Sequence, residues 1–541
     1  MVLACAPPSS APKLPPAPPA PPDGAGVVVG PAPLRRLTNH QYLNALHDLF
    51  PGQALALPDL PDDALVAGFD NAAEAQQPSD VRIARYEAIA NLYAEAVTPD
   101  APAVRALVGC DSWDTPDASA ACASAFVART GTRLFRRPLT DAEQQRFTQR
   151  LLAWKDAIDF EGAVRLTLSA LLQAPQFLYR PEPDGASTAP GDITPVDPYA
   201  MASRLSFFLW QSVPDDALLA AAARDQLRAV ADIAGQARRM LADDRSRRVF
   251  WDFHRQWLGL DRIDDAEHAA RTPEVDAGWG EGTQASAGAE SRSLIENLLA
   301  GGGTLADLLT SRRAWPDGEM ARIYGSPAVA DDAAATGPGL ELSASERAGI
   351  FTRVAFLAGY SHRGGTSPPL RGNAIRMRLL CAPPVSPPPD ADLSTPVADP
   401  GAGPQTNRML FEARTRPAAC QGCHAQLNGL GFGLENYDAA GAFRTHDNGL
   451  PVDASGQIHG TDVDRAFTGA IDLSQALGRS RVVHACATQQ WVRYALGRAA
   501  VDAEAPLVQA LSARFLASGG DLRGLLMDIV TAPSFRLRRA D

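Results

Sequence analysis

Lysine is almost missing from this chain: of its 50 basic residues only Lys13 and Lys155 are lysine, and the rest are arginine. With alanine abundant, this imbalance reflects GC-rich coding rather than a surface built to grip phosphates or carboxylates. Long apolar runs are missing too. No window approaches the roughly 18 uninterrupted apolar residues of a spanning helix. A basic surplus is absent, since the formal net charge is −12, which excludes wholesale binding to nucleic-acid phosphates. Sustained period-2 alternation is scarce, so long sheets are not expected. Several catalytic signatures are also absent: there is no G-x-x-x-x-G-K-[ST], H-E-x-x-H or G-x-S-x-G, and no G-x-G-x-x-G that opens a helix.

What is present begins with Met1-Val2-Leu3-Ala4 before Cys5. Small and aliphatic residues directly before a cysteine resemble the end of a bacterial lipoprotein signal, with Cys5 as the acylated residue; no charged n-region or apolar h-region precedes them here. From Cys5 to Pro33, 11 of 29 residues are proline. Such a segment stays extended and acts as a spacer. The expectation is an exported body held off a membrane only through a lipid anchor, with a disordered cytoplasmic leader as the alternative.

From Leu34 onward the patterns are helical. Thr38-Asn39-His40-Gln41, Thr140-Asp141-Ala142-Glu143 and Ser343-Ala344-Ser345-Glu346 are capping boxes. Asp197-Pro198 places a cap before proline at the first helical position. Further helices are predicted at 161–173, 236–258, 289–300, 347–359, 484–496 and 521–531. Residues 163–180 echo residues 521–538 without a gap. In both, Ala-Pro stops a helix and an aromatic residue follows two positions on, which points equally to a duplication or to a shared helix stop. A second proline-rich stretch after Cys381 is the clearest internal boundary.

Cys420-Gln421-Gly422-Cys423-His424 is the strongest chemical signal. It is the C-x-x-C-H pattern of c-type haem attachment. Two thiols three residues apart reach two vinyl groups on one porphyrin edge, and the next residue presents an imidazole to the iron. Three other readings stay open: a redox dithiol, a zinc site, for which no second C-x-x-C pair exists, and a Cys420–Cys423 disulfide. Gly429, Gly431 and Gly433 suggest a flexible wrap after the motif, and Asp447-Asn448-Gly449 a hairpin turn. Asp438, Asp447 and Asp453 are better read as turn carboxylates than as a calcium site.

These segments carry a family resemblance. RRLTNHQYLNALHDLF, FRRPLTDAEQQRF, LLQAPQFLYRPEP, FHRQWLGL, CQGCH, LGFGLENYDAAGAFR and QQWVRYALGR resemble the large exported cytochrome-c-like proteins of planctomycetes and myxobacteria. The resemblance implies export and a haem-c-like site more firmly than any substrate. Relatives often carry a histidine shortly before C-x-x-C-H, where this chain has Arg414 and Arg416. The expected fold is mainly α: a multi-helical N-terminal body plus a C-terminal cytochrome-c-like module with a short β-hairpin. Its expected parts are a tether at 1–33, helical domains at 34–190 and 191–381, a linker at 382–405 and the haem module at 406–541.

Cys420 and Cys423 are then the expected thioether positions for covalent haem c, and His424 the proximal iron ligand. No methionine lies between His424 and Met527, so the distal candidates are Met409, His446, His459 and His484, or an open iron position. Cys110–Cys122 and Cys381–Cys486 are the expected disulfides. The functional expectation is electron transfer at the cell surface or in the periplasm. The expected partner is an unidentified redox protein or an extracellular polymer, with no nucleic acid. The alternatives are a haem oxidoreductase with an open iron, or a surface-anchored binding or scaffold protein without haem.

Overall fold

The computed structural model describes residues 29–110, 113–182, 191–265, 268, 270–272, 276, 278–328, 339–383 and 403–539. Cys5, the tether before residue 29 and residues 384–402 of the linker lie outside the described residues. Helix accounts for 61% of the described residues. Among the described residues the strands form only antiparallel pairs, two to four residues long. The fold is therefore mainly α, as the scarcity of alternation requires.

The caps work as the sequence implies. Thr38 and Gln41 cap helix Asn39–Leu49 reciprocally, and Thr140 and Glu143 do the same for Asp141–Ala157. Asp197 accepts from the Tyr199 and Ala200 amides at the start of Pro198–Leu209. Each such cap contributes about 1 kcal/mol. Two expected helices are different. Residues 236–258 fall in two helices, Val230–Leu241 and Arg247–Leu258, because Asp243 caps the Arg245 amide and starts a tight turn between them. Ser343–Glu346 caps no long helix; only the 3₁₀ turn Ile350–Thr352 and the short helix Val354–Gly359 follow. Gly349 is the cause. It sits at φ +65° with its Cα against the Leu309 backbone, where a Cβ would overlap the Leu309 carbonyl.

The internal echo is a structural repeat. Helix Phe160–Leu172 is followed by the one-turn helix Pro175–Leu178 and strand Tyr179–Arg180. Helix Leu522–Thr531 is followed by Pro533–Arg536 and strand Leu537–Arg539. Phe177 and Phe535 fold back and are both buried. Each seals a different core. The first core gathers Leu37, Tyr42, Tyr86, Phe126, Leu168 and Phe177. The second gathers Trp210, Phe253, Trp257, Ile375, Leu430, Trp491 and Phe535. Residues on both sides of the proline-rich stretch thus share one core, and the chain does not divide into body and module there. The Cys381–Cys486 disulfide (Cα–Cα 5.5 Å) fastens the start of that stretch to helix Arg481–Leu496. Cys110 and Cys122 form the other disulfide, with Cα atoms 6.0 Å apart.

Buried arginines join these parts. The Arg136 guanidinium donates to the carbonyls of Leu134, Gln176, Phe177 and Tyr179. Arg204 donates to the Phe535 carbonyl at 2.6 Å and pairs with Glu182. Arg538 reaches the Glu182 carbonyl, and Arg35 lies 3.7 Å from its carboxylate. The Glu182 side chain is 9% exposed. Burial opposes its ionisation, but the charge and hydrogen bond of Arg204 and the charges of Arg35 and Arg180 outweigh it and hold the carboxyl down to about 2.

A folded pKa below the unfolded value of 4.5 means that Glu182 stabilises the fold above that value and stops doing so as pH falls through 4.5 towards 2. Glu182→Gln is expected to cost on the order of 3 kcal/mol at pH 7. The gap to the unmodified protein should close between about pH 4.5 and 2. Urea midpoints measured across that range test this, and a gap independent of pH would refute it.

Candidate functional site

Cys420, Cys423 and His424 occupy the first two turns of helix Ala418–Gly431. The Pro417 carbonyl accepts from the Cys420 and Gln421 amides (2.8 and 3.2 Å) and starts the helix. Both cysteines are half-buried free thiols. Cys420 lies one turn before His424 on the same face, and Cys423 lies about 100° round the helix from His424.

Gly429 and Gly431 belong to the last turn of this helix, and Gly433 to the following turn Phe432–Leu434. They do not form a flexible wrap, and close packing explains why. A Cβ on Gly431 would overlap the Pro368 carbonyl, and one on Gly372 would overlap the Leu427 carbonyl. The motif helix and helix Pro368–Leu379 therefore meet backbone to backbone. On another side, a Cβ on Gly456 would overlap the Gly429 carbonyl. Strand Ser455–Ile458, paired with Arg465–Thr468, is thereby drawn against the helix.

The segment after the helix is pinned by buried guanidinium groups. Arg371 donates to the Leu434, Tyr437 and Asp438 carbonyls (2.9–3.0 Å) and to that of Leu357. Arg271 donates to Ala439 O at 2.6 Å, and Arg347 to Gly441 O at 2.7 Å. Five carbonyls within 434–441 are satisfied in this way. Buried backbone acceptors outside helices and strands need such partners.

His424 faces a groove of about 550 Å³, within the range of small-molecule and cofactor sites. Arg408, Glu412, Thr415, Phe432 and Gln457 share its wall. The Arg408 guanidinium lies over the Phe432 ring, 4.5 Å from its centre, and pairs with Glu412 at 2.9 Å. His424 Nδ1 lies 3.0 Å from Asn428 Oδ1. The Asn428 amide is oriented by a relay: its Nδ2 donates to Thr415 Oγ1 (3.1 Å), whose hydroxyl donates to the Phe411 carbonyl (2.7 Å). Oδ1 must therefore accept, so Nδ1 carries the proton and the lone pair is left on Nε2. This is the arrangement that orients a metal-binding imidazole. Sequence reasoning missed Asn428 and Thr415. Asn428 sits four residues after His424, and that spacing was its only signal.

Of the expected site residues, Cys420, Cys423 and His424 share the first two turns of one helix, but only His424 lines the groove; Cys420 and Cys423 do not. None of the four distal candidates lines the groove. Met409 is 43% exposed, while the helix it occupies presents Arg408, Glu412 and Thr415 to the groove. His446 lies on the exposed hairpin His446–Asp447/Leu450–Pro451, whose turn uses Asn448 and Gly449 at positive φ as expected. His459 is exposed. His484 is buried against Phe515 with Nδ1 donating to Ser480 O (2.8 Å), and burial pulls its pKa below the ordinary value. Asp438, Asp447 and Asp453 each have separate partners: the Ala442 amide, Arg444 and Arg408.

Five family models match the chain, each described as a protein of unknown function. They are DUF1587 over residues 35–99, DUF1595 over 122–182, DUF1592 over 196–326, DUF1588 over 347–447 and DUF1585 over 464–535. The chain is thus a multi-domain protein built from five uncharacterised domains, and the motif helix falls in the fourth. No curated protein and no solved structure matches it.

The backbone contacts make a direct test possible. Gly431→Ala and Gly372→Ala should each destabilise the fold by about 1–3 kcal/mol, the usual cost of overpacking. Gly422→Ala, at a helical position with open space around it, should gain about 0.5–1 kcal/mol. Urea denaturation reads all three. Equal effects would show that the two helices do not depend on glycine contact.

Proposed function

We propose that the chain is an exported c-type haem protein that transfers electrons. One observation carries the reading: two free thiols one helical turn apart precede an imidazole whose Nε2 is left available at a groove of about 550 Å³. The residues fit haem c in number and type. Cys420 and Cys423 would form the thioether links, and His424 Nε2 would be the proximal ligand. The group, when bound, supplies an iron that cycles between ferric and ferrous states. The protein's part is to fix the imidazole. Asn428 sets its tautomer and ring orientation, Thr415 holds Asn428, and Gly372 and Gly431 seat the helix on a neighbour with no side chain between them.

Two further facts support the reading. The five matched families are often associated with cytochrome c proteins. The disulfides fit an oxidising compartment. Acylation at Cys5, a periplasmic or outer-membrane location and a redox protein or extracellular polymer as partner belong to the same proposal. No helix among the described residues is long and apolar enough to cross a membrane.

A second reading is favoured by the groove itself. Arg408, Glu412 and Gln457 line it, and among the described residues no methionine or second histidine does. An iron with one protein ligand binds small molecules and supports peroxide chemistry.

Protein made in a host with the haem-attachment machinery should keep its haem through acid–acetone extraction. His424→Ala should retain the attached group with a shifted absorption spectrum. Haem that extracts completely, or is never present, would leave the scaffold reading. Carbon monoxide or cyanide that changes the spectrum at once would favour the open iron over electron transfer.

A further inference from the structure

A second cluster of metal-binding side chains lies where three distant parts of the chain meet. His40 is in the first turn of helix Asn39–Leu49, Asp70 follows the bridge between Val66 and Phe69, and Asp252 is on helix Arg247–Leu258. One ligand atom of each lies within 4.8 Å of the others. Both carboxylates are about 95% buried, whereas His40 faces solvent.

The surroundings hold the two carboxylates in place without neutralising them. Gln256 Nε2 donates to Asp70 Oδ1 and to Asp252 Oδ2 (both 3.1 Å), and Gln256 Oε1 accepts from the Asp70 amide (2.9 Å). The Tyr494 hydroxyl donates to Asp252. Arg255 pairs with Asp252 at 2.9 Å but is shared with Asp261 at 2.7 Å. The Asp70 side chain accepts from Gln256 and has no ion-pair partner among the described residues. Two buried carboxylates therefore face each other with less than one positive charge between them. Such a surplus is costly unless a cation or a proton offsets it.

We propose that His40, Asp70 and Asp252 form a site for a divalent first-row transition-metal ion. One imidazole and two carboxylates suit this class. Three protein ligands, with water completing the shell from the His40 side, make an open site. Three ligands bonded at about 2.0–2.2 Å to one ion lie about 3–3.5 Å apart. From a spacing within 4.8 Å the site then closes by up to about 1.5 Å, most of it supplied by the exposed His40 side chain. The ion would clamp the first helix to the central helix that carries Asp252. Gln256, Arg255 and Tyr494 orient the carboxylates behind it.

The test uses the full chain, stripped with a chelator and titrated with Co²⁺ alone. One equivalent should bind, with visible ligand-field bands and no thiolate charge-transfer band. His40→Ala and Asp70→Asn should each weaken binding at least tenfold. The exposure of His40 leaves the His40→Ala fold intact, which its unchanged melting temperature without metal would verify. Cys420→Ser/Cys423→Ser should bind Co²⁺ as the unmodified chain does. The proposal is overturned if no stoichiometric binding occurs, if both ligand variants bind as tightly as the parent, or if binding is lost in the cysteine double variant instead.

Discussion

Buried guanidinium groups bonded to backbone carbonyls hold this protein together. A mainly helical chain with many irregular connections must bury some of them, and each buried carbonyl needs a donor. Arginine offers five N–H groups in a rigid fork. Arg136 closes the turn at 176–179, and Arg204 the equivalent turn at Phe535. Arg371, Arg271 and Arg347 close 434–441. Arg347, Arg353 and Arg371 are among the largest fully buried side chains in the molecule. Desolvating these charges is costly, and several carbonyl dipoles around each one offset the cost. A lysine, with a compact ammonium, could not reach so many acceptors at once.

The candidate haem site inherits its rigidity from this arrangement. The segment leaving the motif helix is tied by three arginines, and the helix itself is pressed against Pro368–Leu379 through glycine contacts. The floor beneath Cys420, Cys423 and His424 is consequently fixed before any group is bound. The other wall, which carries Arg408 and Glu412, comes from the short helix Asn407–Thr415 just after the linker. The His40–Asp70–Asp252 cluster sits at a different junction, between helices near the start and the centre of the chain. Burial, then the charge of Asp252, pushes the Asp70 carboxyl well above the usual range, while Tyr494, which donates to Asp252, joins helix Arg481–Leu496 to the same network.

Much of the local structure was legible because it rests on local chemistry. The boxes at Thr38 and Thr140, the Asp197-Pro198 start, the Asn448-Gly449 turn and the repeated Ala-Pro stop all act within a few residues. The Cys110–Cys122 disulfide was legible from its short spacing, and Cys381–Cys486 from the expected export and the places of its cysteines before the linker and in the last module. The capping-box pattern at Ser343–Glu346 misled because a long-range contact, Gly349 against the Leu309 backbone, takes precedence over it. The predicted helix at 236–258 hid a break because apolar periodicity continues on both sides of the Asp243 turn. The glycines after the motif read as flexible because composition cannot distinguish freedom from close packing.

By itself the sequence determined the helical class, most of the caps, the attachment-type motif and the Cys110–Cys122 pair, since each depends on residue type and short spacing. Only the tertiary structure decided that the residues before and after the linker share one core, because core membership depends on which apolar faces meet. It also decided that the arginine excess includes buried brackets, since an arginine's role follows from the carbonyls it reaches across the chain. Finally, it placed Asn428 against His424 and brought His40, Asp70 and Asp252 together. The His424–Asn428 pair is four residues apart on one helix, whereas the His40–Asp70–Asp252 cluster depends on the packing of segments up to about 210 positions apart, which no local pattern encodes.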